Sequence, residues 1–238
     1  MIPKTIHYCW FGGNPLPMSV KKCIKSWKEK CPDYKIIQWN EKNFDVNSHP
    51  FVKAAYKSRA WAFVSDFARL KIIYEQGGIY LDTDVELLKN LDPLLVYDGF
   101  FAIQQYSHLC ATGLGFGGIK GSFIVKEMLK IYDNIEFDIA KKEQISCPIL
   151  NDKAIKNLGY FYNENEPVLI NRVMVYPPQY FDPYAPGTPK SLLCKNTISI
   201  HHYSASWKEK KVVFRRKIYF LFGPKILFAI KSIFHLIK

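Results

Sequence analysis

The sequence predicts an α/β fold. Two observations carry this: apolar strand-like segments alternate with helix-like ones, and the links between them are short and rich in Gly, Pro, Asn and Asp. Such alternation builds a sheet covered by helices. Residues 4–11 read as a buried first strand, closed by Gly12-Gly13-Asn14-Pro15. Residues 18–30 read as a helix that stops at Cys31-Pro32-Asp33, and residues 34–39 as a second strand. Short helical segments follow around residues 50–58. A strong helix runs from about Trp61 to Gln76, with Phe63, Phe67, Leu70 and Tyr74 on one face, and Gly77-Gly78 ends it. Ile79-Tyr80-Leu81 is a short apolar strand running into Asp82-Thr83-Asp84. Beyond it the pattern predicts a strand over 99–104, a Gly-rich loop over 110–118 and a helix over 121–135. Short strands near 168–176 and 197–202 follow, with Pro-rich loops over 177–189. No internal repeat or linker divides residues 1–207, which read as one domain.

Composition narrows the function classes. The chain has 238 residues, 48% of them hydrophobic and 23% charged, which excludes wholesale disorder and collagen-like structure. Lys and Arg number 33 against 21 Asp and Glu, a net charge of +12 that favours anionic partners. Residues 208–238 hold nine of these basic residues and one acid, Glu209, so most of the excess sits in this tail. The body is only mildly basic, which argues against a general nucleic-acid binder. The apolar stretches of the tail are broken by Gly223-Pro224-Lys225 and Lys231, too short for the roughly 20 residues a spanning helix needs. At about 100° per residue, Lys225, Lys231, Ser232, His235 and Lys238 share one arc, and Ile226, Leu227, Ile230, Ile233, Phe234 and Ile237 the other, with Phe228 and Leu236 breaking the pattern. This reads as a basic amphipathic helix lying on a membrane surface; the alternative is a terminal helix packed on the domain. The six cysteines are scattered, without C-x-x-C pairs, and are expected as free, mostly buried thiols. With no apolar leader after Met1, the expected location is the cytoplasm, at the inner face of the cell membrane.

Four segments carry chemistry. Asp82 and Asp84 leave the end of a buried strand, where open α/β sheets bind ligands, and two carboxylates there suit a hard divalent cation holding a diphosphate. Asp66 and Arg69 share a helix face at i, i+3; they suit a sugar hydroxyl and a phosphate, or else form an exposed ion pair contributing about 0–1 kcal/mol. His201-His202 follows an apolar strand and offers an imidazole to the metal, with Ser206 and Trp207 as donors to phosphate oxygens. His7-Tyr8-Cys9-Trp10-Phe11-Gly12-Gly13 puts an aromatic ring at the end of the first strand, for a base or for the core.

In this order, these segments resemble glycosyltransferase family 32, and also the glucosyltransferase domains of the large clostridial toxins. The resemblance runs over Ile6 to Gly13, Ala62 to Glu86 and Ile200 to Trp207. It implies a GT-A fold, Rossmann-like and nucleotide-sugar-binding, over residues 1–207. It also implies metal-dependent, retaining transfer with Mn²⁺ or Mg²⁺. Cys9 and Trp10 would border the nucleotide, with Trp10 stacking on the base. Asp66 would bind sugar hydroxyls, and Arg69 would sit near sugar and phosphate. Tyr80, Asp82 and Thr83 would contact the ribose and metal region. Asp82, Asp84 and His202 would ligate the metal, and Ser206 and Trp207 would hold the diphosphate, with Ser204 as the other serine in reach. Ser146-Cys147-Pro148 stands where many relatives carry a T-G-P-like loop. The donor implied is a nucleotide-sugar, a UDP-sugar by the toxin-like Trp10 segment, with GDP open. The acceptor is a saccharide or lipid-linked glycan in surface-polysaccharide synthesis. The rival is a haloacid-dehalogenase-like phosphatase with Asp82 as nucleophile, which leaves Asp66, Arg69 and the late His-Ser-Trp segment without a role.

Overall fold

A computed structural model describes residues 1–185 and 191–204. Ser206, Trp207 and the tail over 208–238 lie outside the described residues. In chain order the elements are β1 (Thr5–Cys9), α1 (Met18–Lys30), β2 (Lys35–Trp39), α2 (Pro50–Lys57), α3 (Trp61–Gln76), β3 (Gly78–Tyr80) and β4 (Val85–Leu87). Then come β5 (Gly99–Ala102), β6 (Phe116–Gly118), α4 (Phe123–Tyr132), α5 (Cys147–Asn157), β7 (Val168–Ile170), β8 (Val173–Tyr176), α6 (Pro178–Phe181) and β9 (Ser199–His201).

Seven strands form one mixed sheet in the order β2-β1-β3-β6-β5-β8-β7, and β4 pairs with β9 in a separate ribbon. The β1–β2, β1–β3 and β5–β8 pairs are parallel, and β6 runs antiparallel between β3 and β5. This is the α/β architecture expected, and the fold is GT-A. The sheet's centre is apolar on both faces. One core gathers Val64, Leu70, Phe101, Phe116 and Met128 under α2, α3, α4 and α5; the other gathers Ile6, Trp27, Ile79, Leu81, Phe100 and Phe181 on the opposite side.

Three expectations are corrected. The Gly-rich stretch over 110–118 was expected as loop throughout, yet its last residues, Phe116–Gly118, are a strand buried between β3 and β5. Ser146-Cys147-Pro148 is the start of α5 rather than a loop; proline is favoured in the first helical turn, where its missing N–H has no partner to lose. Helix α3 does not bury one face only. It packs on β1 and β3 on one side and on α2 and α4 on the other, so Asp66 and Arg69 are buried along with Phe67 and Leu70. Gly77 ends α3 at φ 68° while its N–H bonds Ile73 O at 2.8 Å, a conformation that favours glycine and turns the chain straight into β3.

Candidate active site

The acidic turn is held from both ends. On its near side the strand ladder continues one residue past β3, Leu81 N–H donating to His7 O at 3.1 Å. On its far side α1 pins β4: the buried Trp27 indole N–H donates to Val85 O at 2.7 Å, and Leu87 N–H donates to Ser26 Oγ at 3.0 Å. Asp82, Thr83 and Asp84 therefore leave the sheet at the carboxyl end of β3 on a short loop with little freedom.

Strand parity decides which histidine joins them. In the β4–β9 ribbon Val85 lies opposite His201, Glu86 opposite Ile200 and Leu87 opposite Ser199. Val85 and Leu87 face inward, and so do Ser199 and His201. His201 Nε2 lies 3.1 Å from Asp84 Oδ1, and Asp82, Asp84 and His201 each offer a ligand atom within 4.8 Å of the others. The expectation that His202 would be the ligand is corrected: beyond the strand end its ring turns to the surface and meets Glu86 Oε2 at 2.8 Å. Two carboxylates and an imidazole are a donor set that suits a divalent cation of the Mn²⁺ or Mg²⁺ kind.

Each acid is also held by the protein. Asp84 Oδ2 accepts from the Ser204 N–H at 2.8 Å and its hydroxyl at 3.0 Å, leaving Oδ1 toward His201. Burial opposes the charge on Asp84, but His201 and the Ser204 donors outweigh it and hold this carboxyl well below its usual range. Burial likewise opposes a charged His201, and Asp84 more than offsets it, so the imidazole is raised. Asp82 Oδ1 accepts from the Tyr80 hydroxyl at 3.0 Å and lies 3.2 Å from Arg69 Nη2. Its Oδ2 passes so close to Gly113 that a Cβ there would stand 2.5 Å from it.

Arg69 is the hub behind the pair. Its Nη2 lies 2.9 Å from Asp66 Oδ1, its Nε donates to Ser65 O at 3.1 Å, and its guanidinium lies 4.9 Å from the Tyr80 ring centroid. Asp66 and Arg69 are 9% and 4% exposed, so the surface ion pair allowed for above is corrected to a buried one. Burial pushes Asp66 up to about 6; Arg69 lowers it and Asp82 raises it further. Behind Arg69, the Thr112 hydroxyl lies 3.1 Å from Cys147 Sγ, and Asn151 Nδ2 donates to Thr112 Oγ1 at 2.8 Å.

These groups line one open cleft of about 940 Å³. Cys9, Trp10 and Trp61 line it together with Asp66, Arg69, Asp82, Thr83 and Asp84, and with Cys147, His201 and Tyr203. The Trp10 indole N–H donates to Asn14 O at 2.6 Å. Burial pushes the Cys9 thiol up to about 12, so it is a neutral wall group there. Tyr80 does not line the cleft: side chains alternate along β3, and its ring points into the core, 1% exposed, reaching the site only through its hydroxyl. The contact expected of it is corrected to support of Asp82 from beneath. Trp61, Gly113 and Tyr203 were not singled out in the sequence. Trp61 carried a usable signal, an aromatic residue opening the helix that bears Asp66; Gly113 and Tyr203 are brought in by tertiary contacts alone.

A mixed sheet thus carries a buried Asp-Arg pair and an Asp-Asp-His cluster at its carboxyl edge. Residues 17–101 match the glycosyltransferase sugar-binding region containing the DXD motif. It is 33% identical over 119 residues to inositol phosphoceramide mannosyltransferase 3 of Schizosaccharomyces pombe, covering 48% of this chain but 33% of that protein. The chain thus spans about a third of the length of that relative. It is 26% identical over 235 residues to an uncharacterized glycosyltransferase of Acanthamoeba polyphaga mimivirus, covering 91% of this chain and 90% of that one. Among solved structures, PaToxG Glycosyltransferase aligns over 66% of this chain and 69% of that chain with a TM-score of 0.52 at 18% identity, a likeness of fold.

Proposed function

We propose that the protein transfers a sugar from a nucleotide-sugar to a saccharide or lipid-linked glycan acceptor, with retention, using Mn²⁺ or Mg²⁺. The observation that carries this is the convergence of Asp82, Asp84 and His201 in a cleft that Asp66 and Arg69 also line. The three would hold the cation, which when bound supplies positive charge to the diphosphate leaving group. Trp10 and Trp61 offer aromatic faces for the base. Asp66 accepts from sugar hydroxyls, and Arg69 keeps its carboxylate turned to the cleft. Asp82 and Asp84 converge with His201 closely enough to share one cation, an arrangement that suits a diphosphate leaving group.

A UDP-sugar is the first donor, on the toxin-like Trp10 segment. A GDP-sugar is the second, favoured by the mannosyltransferase names of matched relatives. Thermal-shift screening of UDP- and GDP-sugars with Mn²⁺ tests this: one nucleotide should raise the melting temperature only with metal, and no shift with any of them would count against it. The basic amphipathic tail, with the cytoplasmic face of the membrane and a surface polysaccharide such as capsule as its setting, belongs to the same proposal. Among the described residues no helix is long and apolar enough to cross a membrane. Attraction of about 1 kcal/mol per basic residue near an anionic surface, plus burial of the apolar face, supports docking that weakens at high salt without vanishing. A chain ending at Trp207 should lose binding to anionic vesicles; undiminished pelleting would overturn docking by the tail.

A further inference from the structure

Behind His201 lies a carboxylate that the proposed chemistry does not use. Asp182, just past α6, is completely buried. Its Oδ2 accepts from the Gln105 backbone N–H at 2.8 Å and from the Tyr203 hydroxyl at 2.8 Å. Its Oδ1 is buried with no hydrogen-bond partner among the described residues, and so are His201 Nδ1 and Ser199 Oγ. Ser199 and His201 sit two residues apart on the inward face of β9, and α6 packs on that strand. Tyr203 joins the two halves: its ring meets the His201 ring edge-on with centroids 4.1 Å apart, while its hydroxyl is fixed by Asp182. Its backbone stands at φ 48°, a left-handed conformation that a bulky residue adopts only when its surroundings hold it there.

A ligating imidazole must keep its metal-facing nitrogen bare, so its proton belongs on the other one. Here Nε2 faces the acidic pair, which leaves the proton for the buried Nδ1. Negative charge on that flank favours the arrangement, and Asp182 is the buried acid tied to the ring that packs on His201.

We propose that Asp182 is a positioning residue: acting through Tyr203, it fixes the orientation and Nδ1–H tautomer of His201 so that Nε2 is presented to the metal. This rests on the metal-binding reading given above. Asp182→Asn keeps an oxygen for Gln105 and Tyr203 and removes the charge. Tyr203→Phe keeps the ring packing and removes the tie. The measurement is the Mn²⁺ dissociation constant of the full chain without nucleotide, by the electron paramagnetic signal of free Mn²⁺, beside thermal melting without metal. Both variants should melt within a few degrees of the parent yet bind Mn²⁺ about 10- to 100-fold more weakly, as loss of a group orienting a metal-bound histidine does. The double variant should bind no more weakly than the weaker single one, because both changes cut the same link. A folded Asp182→Asn or Tyr203→Phe protein with the parent's Mn²⁺ affinity would overturn the link and leave the metal site standing. A parent chain that takes up no Mn²⁺ would overturn the metal reading and the link together. Should Asp182→Asn fail to fold, Tyr203→Phe, which removes one hydroxyl, decides the matter alone.

Discussion

His201 Nε2 and Asp84 Oδ1 stand 3.1 Å apart, and His202, one residue on, points to the opposite side and meets Glu86. The two histidines are therefore unequal. His201→Ala should weaken Mn²⁺ binding by at least about tenfold and lower turnover accordingly. His202→Ala, which loses only a half-exposed contact, should keep both near the parent level. Parallel metal titrations and turnover assays check this, and the reverse ranking would return the metal site to His202.

Gly113 controls the second acid. A Cβ at this position would lie 2.5 Å from Asp82 Oδ2 and 3.1 Å from Arg69 Nη1. These atoms are the ends of side chains, so the fold can absorb the intrusion by swinging them, but the carboxylate then leaves its place. Gly113→Ala should lower kcat about 100-fold, the scale of a 1 Å misplacement, with little change in melting temperature. Unchanged kcat would show that the position of Asp82 is not critical.

Asp66 matters to the fold as well as to the site. With Arg69 buried beside it, removing the charge leaves a guanidinium with Asp82 as its remaining acid. Breaking a buried pair costs on the order of 3–5 kcal/mol, with the lower end expected here because Asp82 remains. Asp66→Asn should therefore lower both stability in urea and specific activity of the folded fraction. Loss of activity at full stability would mean that the pair is not held as tightly as its burial implies.

His7 makes the stability of the sheet sensitive to acid. Trp39 Nε1–H donates to His7 Nδ1 at 3.0 Å, so Nδ1 must be bare, and Nε2–H donates to Gly77 O at 3.0 Å. Burial lowers the ring from 6.5 to about 4 despite the Gly77 bond. The unfolded chain then binds the extra proton first. Stability is fully present above pH 6.5 and falls as pH drops toward 4, by about 2 kcal/mol between pH 7 and 5. His7→Gln, which can keep both hydrogen bonds, should flatten that slope in urea unfolding at the two pH values. An identical slope in both proteins would assign the acid sensitivity elsewhere.

Where the chain carries its own local signals, sequence and structure agree. Helix α1 and helix α3 follow from apolar spacing and clear stops, and the acidic turn after β3 stands out because two carboxylates follow a buried strand. What was not legible depends on distant partners. β4 has three residues, and its pairing with β9 and its ties to Trp27 and Ser26 lie far off in sequence. The choice between His201 and His202 is a matter of register in that same ribbon. α5 was hidden because Pro148 reads as a breaker, although it stands in the first turn, and because the helix buries the polar Asn151 and Asp152. The burial of Asp66 and Arg69 could not be read from α3 alone, since it comes from elements packing on both of its sides.

The most direct measurement is release of nucleoside diphosphate from the UDP- and GDP-sugars by the purified chain, with Mn²⁺ and after exhaustive EDTA treatment, for the parent and for Asp84→Asn. A transferase built on the Asp82, Asp84 and His201 cluster should turn over one donor slowly with Mn²⁺, stop with EDTA, and lose turnover in Asp84→Asn while the variant still melts cooperatively. Full turnover in EDTA, or parent-like turnover by Asp84→Asn, would contradict it.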